Sequence, residues 1–205
     1  GPFRAKEHAQ LKTFADQAVI AIQNARLFRE TQEALEHQTA TSEVLNVIAA
    51  SVDDAQPVFD KIAQSCRHLF DGHHVGLFAL GDDGLLHMKS TVGYTPEQVE
   101  FFGRFFPAPV RKSIQGKAMH RRAVVHYPDL RHGPGVPESI RAMANQSDNL
   151  SLLMAPMLWE GQALGTIDVA RTQRPFSDKE IALLKTFADQ AVIAIQNARL
   201  FNDTR

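Results

Sequence analysis

"APMLWEGQALGTIDVARTQRPFSDKEIALLKTFADQAVIAIQNARLF", residues 155–201, holds two patterns in succession. Up to Thr172, apolar stretches flank Glu160-Gly161, the arrangement expected of a β-hairpin closed by a tight turn. From Ser177 the pattern changes. Ser177 can cap a helix with Glu180 three residues on, and a run rich in Ala, Leu and Gln follows without Pro or Gly. Within that helix Ala191, Val192, Ile193, Ala194 and Ile195 are consecutive, and at about 100° per residue they encircle the axis, so this turn has no solvated face. One side, through Leu184, Phe187, Ala188, Ala191 and Ile195, is set to pack on a sheet. The other, around Ile193 and Leu200, calls for a second helix.

Eighteen letters of this helix, residues 184–201, recur unchanged at residues 11–28, offset by 173. The match extends outward to 23 identities in 30 between residues 3–32 and 176–205. Helical repeats have short periods of about 20–50 residues, so an offset this long points to tandem copies of a whole domain. The expected organisation is the closing helix of a preceding domain plus linker in residues 1–35, and one domain with its own closing helix in 36–205. Gly1-Pro2 has the form of a tag-cleavage remnant.

From Lys6 to about Ala50, a stretch that includes the first copy, the chain contains neither Pro nor Gly and reads as one helix, or two with a short break. Leu35, Leu45 and Ile48 recur near heptad spacing, but Thr31, Gln38 and Thr41 interrupt the seam, which makes an imperfect coiled coil. A second helix follows Pro57, with Phe59, Ile62, Ala63, Cys66 and Phe70 on one face. "HVGLFAL" (74–80) and "LLHMKSTVG" (85–93) form a hairpin around "GDDG". Short helices at "PEQVEFFGRFF" and "SIQGKAMHRR", a strand at "AVVHY", a Pro/Gly-rich loop and a helix at "ESIRAMANQ" lead to the second hairpin. The expected fold class is α+β, an antiparallel sheet flanked by helices and preceded by a long amino-terminal linker helix.

Composition narrows the function. The net charge is −1, with no basic surplus for a nucleic-acid backbone or an anionic membrane, so neither partner is expected. The single Cys66 excludes an internal disulfide and suits a reducing, cytoplasmic setting. No apolar run reaches the roughly 18 residues of a spanning helix.

The order of elements, with "SIQGKAMHRRAVVHYPDL" (113–130), "APMLWEGQALGTIDVART" (155–172) and "PFSDKEIALLKTFADQAVIAIQNARLF" (175–201), resembles a GAF domain over residues 41 to 201. These motifs are structural and identify the fold better than any ligand. The junction "NARLFRETQEALEHQTATSEVL" is similar to those of bacterial sensors that string GAF domains ahead of a histidine kinase or cyclic-dinucleotide output domain. The resemblance implies a non-catalytic input or relay module with neighbouring GAF and output domains. The kinase phosphoacceptor box itself is absent from the sequence.

The residues discriminate among the ligand classes of that family. Its cyclic-nucleotide class carries an Asn-Lys pair after the last strand; Phe176, Asp178 and Glu180 partly match that class, but Ala170-Arg171 stands in place of the pair. Covalent bilin is not expected, because Cys66 lies on an apolar helical stripe where a thiol packs like Ala. One cysteine cannot complete the thiol cycle of the GAF-type methionine sulfoxide reductases. His73 and His74 are adjacent in a strand and point to opposite faces, and His68, His87, His120, His126 and His132 lack ligand spacing, so no metal, haem or iron site is expected. No phosphate loop, nucleophile elbow or zinc spacing appears, and no catalytic residue is assigned.

What remains is an apolar cavity between sheet and small helices. Phe101, Phe102, Phe105 and Phe106 with Ile114, Met119, Val125 and Met143 are expected to border it, and Arg104, Arg111, His126, Tyr127 and Asp129 to supply polar contacts to an unidentified small molecule. If large apolar side chains fill that cavity instead, the domain is a structural dimerisation and relay spacer. Leu11, Phe14, Ile22 and Phe28, left without a sheet, forgo roughly 1.5–3 kcal/mol each. These four, with Leu35, Leu45, Ile193 and Leu200, are expected to pair two chains into a parallel homodimer whose helices relay a displacement.

Overall fold

The computed structural model describes residues 5–50, 56–144, 150–172 and 174–203; within these, the side chains of residues 5–7, 37, 40, 41, 43–50, 139, 142, 143, 194 and 198–203 are left aside. The chain divides into two units, Gly1–Ala40 and Thr41–Arg205.

The first unit is helical. Helix α1 (Ala5–Ala50) is continuous, which settles the choice between one helix and two. Its apolar side chains, among them Leu11, Phe14, Ile22, Phe28 and Leu35, are exposed. Local pairs one turn apart support it: the Arg26 guanidinium donates to Glu30 at 2.8 Å and the Gln32 amide to Glu36 at 3.2 Å. Leu45 lies on α1 with its side chain outside the described residues.

The second unit runs α2 (Gln56–Leu69), β1 (His74–Leu80), β2 (Leu85–Val92), α3 (Pro96–Gly103), β3 (Ala108–Pro109), a 3-10 turn (Val110–Lys112), α4 (Gly116–Arg121), β4 (Val125–Tyr127), α5 (Glu138–Ala144), β5 (Ser151–Trp159), β6 (Gln162–Arg171) and α6 (Asp178–Asp203). The six strands form one antiparallel sheet in the order β3-β2-β1-β6-β5-β4. The β5–β6 hairpin closes where expected: Glu160 and Gly161 both take positive φ, 47° and 77°, as a two-residue turn between twisted strands requires.

Strand alternation gives the sheet two faces. Val75, Leu77, Leu153, Ala155, Met157, Ile167 and Val169 are buried on the side where α2 and α6 pack. α2 contributes Phe59, Ile62, Ala63 and Cys66, with Phe70 just beyond it, and α6 contributes Leu184, Phe187, Ala188, Ala191 and Ile195, all buried, as their spacing predicts. Phe70 meets both Phe176 and Phe187 edge-on at 6.4 Å. The capping box of α6 forms, the Glu180 carboxylate accepting from the Ser177 N–H at 2.7 Å and the Ser177 hydroxyl from the Glu180 N–H at 3.4 Å.

On the other face α4 divides the packing. One apolar cluster joins Ala118, Val125, Tyr127, Leu130, Val136, Ala144 and Met154; a second joins Met119 to Phe78 and Leu86.

Candidate functional site

The α4 face of the sheet carries an unusual strand residue. Thr166, Asp168 and Ala170 alternate on β6 with Ile167 and Val169, so Asp168 turns away from α2 and α6 and toward α4. Across the ladder it pairs with Gly76 of β1 on one side and Met154 of β5 on the other. Gln115, at the start of α4, reaches down to it, its amide Nε2 donating to Asp168 Oδ2 at 2.8 Å. Asp168, Gln115 and Thr166 are all buried, yet Asp168 Oδ1, Gln115 Oε1 and Thr166 Oγ1 make no hydrogen bond of ordinary geometry among the described residues. Burial pushes the Asp168 carboxyl up to about 7, the Gln115 amide and then the Thr166 side chain offsetting part of the effect.

Tyr94 stands beside this group, its hydroxyl pushed up by burial and then by the Asp168 charge. Its ring leans against His74 at 4.6 Å and meets Phe102 edge-on at 5.4 Å. Burial, and behind it the charges of His73 and Arg67, lowers His74, with Gln98 opposing. The Phe78 ring occupies the space over Gly76, where a Cβ would come within 2.7 Å of it.

Several residues expected at the cavity are brought to this face and others are not. Tyr127 is buried here and its hydroxyl accepts from Lys117 Nζ at 2.8 Å; Ile114 packs on the same cluster. Met119 is buried in the second cluster, which Phe106 joins by stacking near Phe78 at 4.8 Å. Phe102 is half-buried through Tyr94, whereas Phe101 and Phe105 point to solvent and contact each other at 5.3 Å. Arg111 is exposed, and Arg104 pairs with Glu100 on the surface. Asp129 turns back on its own loop, accepting from the N–H groups of Arg131 and His132 at 2.8 Å, and the His132 N–H bond chiefly holds its carboxyl low. Met143 lies on α5 with its side chain outside the described residues.

His126 turns to the opposite face, because it alternates with Val125 and Tyr127 along β4. Its Nε2 accepts from the Phe176 N–H at 3.3 Å, near Ser151, and burial followed by the Arg171 charge lowers its pKa. There it borders a clasp that the sequence pattern did not single out. Arg171, the last residue of β6 and 2% exposed, donates to both carboxylate oxygens of Glu180 at 2.7 and 3.0 Å and to the carbonyls of Phe70 and Pro175. Its guanidinium lies 3.9 Å over the Phe176 ring. Burial alone would raise Glu180, but the bonds from Arg171 and then from Ser177 and Arg174 outweigh it and hold the carboxyl well below its usual range.

Cys66 is wholly buried and burial raises its thiol, so a thiolate nucleophile there is disfavoured. Among the described residues no group of three or more His, Cys, Asp or Glu could hold a metal ion, and no helix is long and apolar enough to cross a membrane.

The chain belongs to the GAF domain family, whose model matches residues 54–195. No curated protein sequence matches it. Similar solved structures include the GAF domain/HD domain protein of Geobacter sulfurreducens, 20% identical with a TM-score of 0.64, covering 73% of this chain and 96% of that one. The GAF domain of a phosphoenolpyruvate-protein phosphotransferase from Coxiella burnetii is 17% identical with a TM-score of 0.66, covering 83% and 98%. The free methionine-R-sulfoxide reductase of Neisseria meningitidis is 16% identical with a TM-score of 0.64, covering 82% and 93%. At these identities the likeness is one of fold. GAF domains are in general sensory and regulatory, non-catalytic modules of signalling proteins.

Proposed function

We propose that this domain binds a small molecule on the α4 face of its sheet and passes the event to α6 as a helix displacement. The observation that carries the reading is the double use of β6. Asp168 projects from one face toward the unpartnered polar group, and Arg171, three residues on, projects from the other and grips the first turn of α6 through Glu180. A ligand that shifts β6 by a fraction of an ångström on one side therefore acts on the helix anchor on the other. Buried oxygens left unsatisfied, Gln115 Oε1 foremost, cost roughly 1–3 kcal/mol each against a total stability of about 5–15 kcal/mol, which supports a bound partner in the working state.

In the parent chain α1 is the shared strut between domains. Its first half is the closing helix of a preceding GAF domain, since its letters equal those that α6 lays on a sheet. Paired struts from two chains run as a parallel bundle toward an output domain, in a cytoplasmic sensor of the histidine kinase type. The exposed Leu11, Phe14, Ile22, Phe28 and Leu35 support the pairing. Fusing an output domain after Arg205 with zero to seven inserted residues, one at a time, tests the relay. Output that rises and falls with the helical period supports it; output independent of insertion length overturns it.

A second reading, a spacer without ligand, has one observation in its favour: the Phe78 ring already lies over Gly76 among Met119 and Leu86. It leaves the Asp168 group unexplained.

A further inference from the structure

The chemistry of the orphan group states what kind of ligand it lacks. Of the two ends of the Gln115 amide only the NH2 can donate to a carboxylate, so the bond from Gln115 Nε2 to Asp168 Oδ2 fixes the amide and leaves Oε1 as a bare acceptor. Asp168 Oδ1 is a second acceptor. Thr166, two residues along the same strand face, adds a hydroxyl oxygen. The Thr166 hydroxyl can donate to only one of these oxygens, toward Asp168, so the group still offers more acceptors than donors.

It also lacks a cation. Asp168 has no ion-pair partner among the described residues: Arg171 of the same strand faces the other way and is held by Glu180, and Lys117 of α4 is turned to Tyr127 and the Gly135 carbonyl. A buried carboxylate without a counter-charge is costly unless a ligand brings one. The Tyr94 hydroxyl feels the Asp168 charge, and its ring is backed by His74 and Phe102.

From this juxtaposition we infer that the α4 face is a site for a small ligand bearing a protonated nitrogen group, an ammonium or amidinium, that donates to Asp168 Oδ1, Gln115 Oε1 and Thr166 Oγ1 beside Tyr94. The inference rests on the ligand-binding reading above and adds its chemical class. A neutral donor can meet the acceptors but brings no counter-charge to the carboxylate, and an anionic ligand adds a second negative charge.

Three isosteres separate class from site: acetamidinium, acetamide and acetate, differing in charge at nearly constant shape. Each is titrated into the full 205-residue chain at fixed ionic strength while amide NMR signals of residues 115, 166 and 168 are followed. The expected result is saturable shifts with acetamidinium, at least tenfold weaker binding of acetamide and none of acetate. Asp168→Asn, which keeps shape and loses charge, should weaken acetamidinium at least tenfold, and Thr166→Val by a smaller factor. Should one substitution unfold the domain, the other carries the comparison. Equal binding of the three probes, or preference for acetamide or acetate at these signals, overturns the cationic class and leaves a ligand site standing. Silence from all three, as when an ordered water satisfies the oxygens, overturns both. Acetamidinium shifts unchanged in Asp168→Asn and Thr166→Val would place its binding elsewhere and sink the assignment.

Discussion

Residues 11–28 and 184–201 share every letter and differ in surroundings. Both are helical. Phe187 is 1% exposed against the sheet, and its copy Phe14 is 68% exposed. Ile193 and its copy Ile20 are exposed in both settings, at 41% and 56%. The pair separates what the sequence carries from what tertiary context adds. Helix formation travels with the letters, because Ala, Leu, Gln and Lys favour it anywhere. Burial is conferred by the sheet, and the side containing Ile193 and Ile20 belongs to neither core, which leaves it for another helix.

The largest contrast to test is therefore Phe187→Ala against Phe14→Ala. The first empties a packed site and should destabilise the domain by about 3–5 kcal/mol in urea unfolding; the second should change it by less than about 0.5 kcal/mol. Equal losses would break the comparison, since they would mean that the amino-terminal copy also sits in a sheet groove, as in a swap between two chains.

The clasp sharpens the comparison next. Glu180→Gln leaves Arg171 buried without its counter-charge, and a loss of about 3–5 kcal/mol at neutral pH is expected. Because the folded carboxyl lies below its unfolded value, its contribution is complete above about pH 4.3 and declines only as pH falls toward the folded value. The gap between variant and parent should accordingly narrow in strong acid, measured as urea midpoints from pH 7 down to pH 2. A gap independent of pH would assign the loss to packing.

Asp168 should show the opposite sign and a smaller effect. Its folded value is raised to about 7, so its favourable contribution is complete below the unfolded value and lost as pH rises to about 7. Relative to Asp168→Asn, the parent should lose on the order of 1–3 kcal/mol between pH 4 and pH 8. The other titratable groups on this face separate cleanly. His74, lowered by burial, destabilises on the acid side and is common to both proteins, and Tyr94, raised, is silent in this window. Parallel pH profiles would mean that the carboxylate is solvated.

The fold is legible in the sequence where local pattern and tertiary role coincide. The β5–β6 hairpin, the Ser177–Glu180 box, the α2 stripe ending at Phe70 and the sheet-facing side of α6 follow from period, turn and cap chemistry within a few residues. The polar site does not. Asp168 sits in the apolar run "LGTIDVA", and only strand register sets it across from Gly76 and under Gln115, 53 residues earlier. An acidic residue in the middle of such a strand was the available signal. His126 and Tyr127 are neighbours in sequence, yet alternation sends one to the clasp and the other to α4. The aromatic run "FFGRFF" divides likewise, Phe102 and Phe106 inward and Phe101 and Phe105 outward, because helix α3 ends at Gly103.

The smallest thermal effect and the most informative association effect should come from the bare copy. Deleting residues 1–36 removes side chains that are exposed, so the midpoint of thermal unfolding of the remaining domain should move by no more than about 2 °C, under 1 kcal/mol for a domain of this size. Sedimentation should nevertheless change, because Leu11, Phe14, Ile22, Phe28 and Leu35 are available to pair two chains, and their removal should convert dimer to monomer. Ile193→Ser in the intact chain should weaken that dimer only modestly, its side being the one that α6 leaves open. A dimer that survives the deletion unchanged would place the interface on the domain itself and reduce α1 to a spacer, whereas a large drop in thermal midpoint would show that the amino-terminal copy had found a sheet after all.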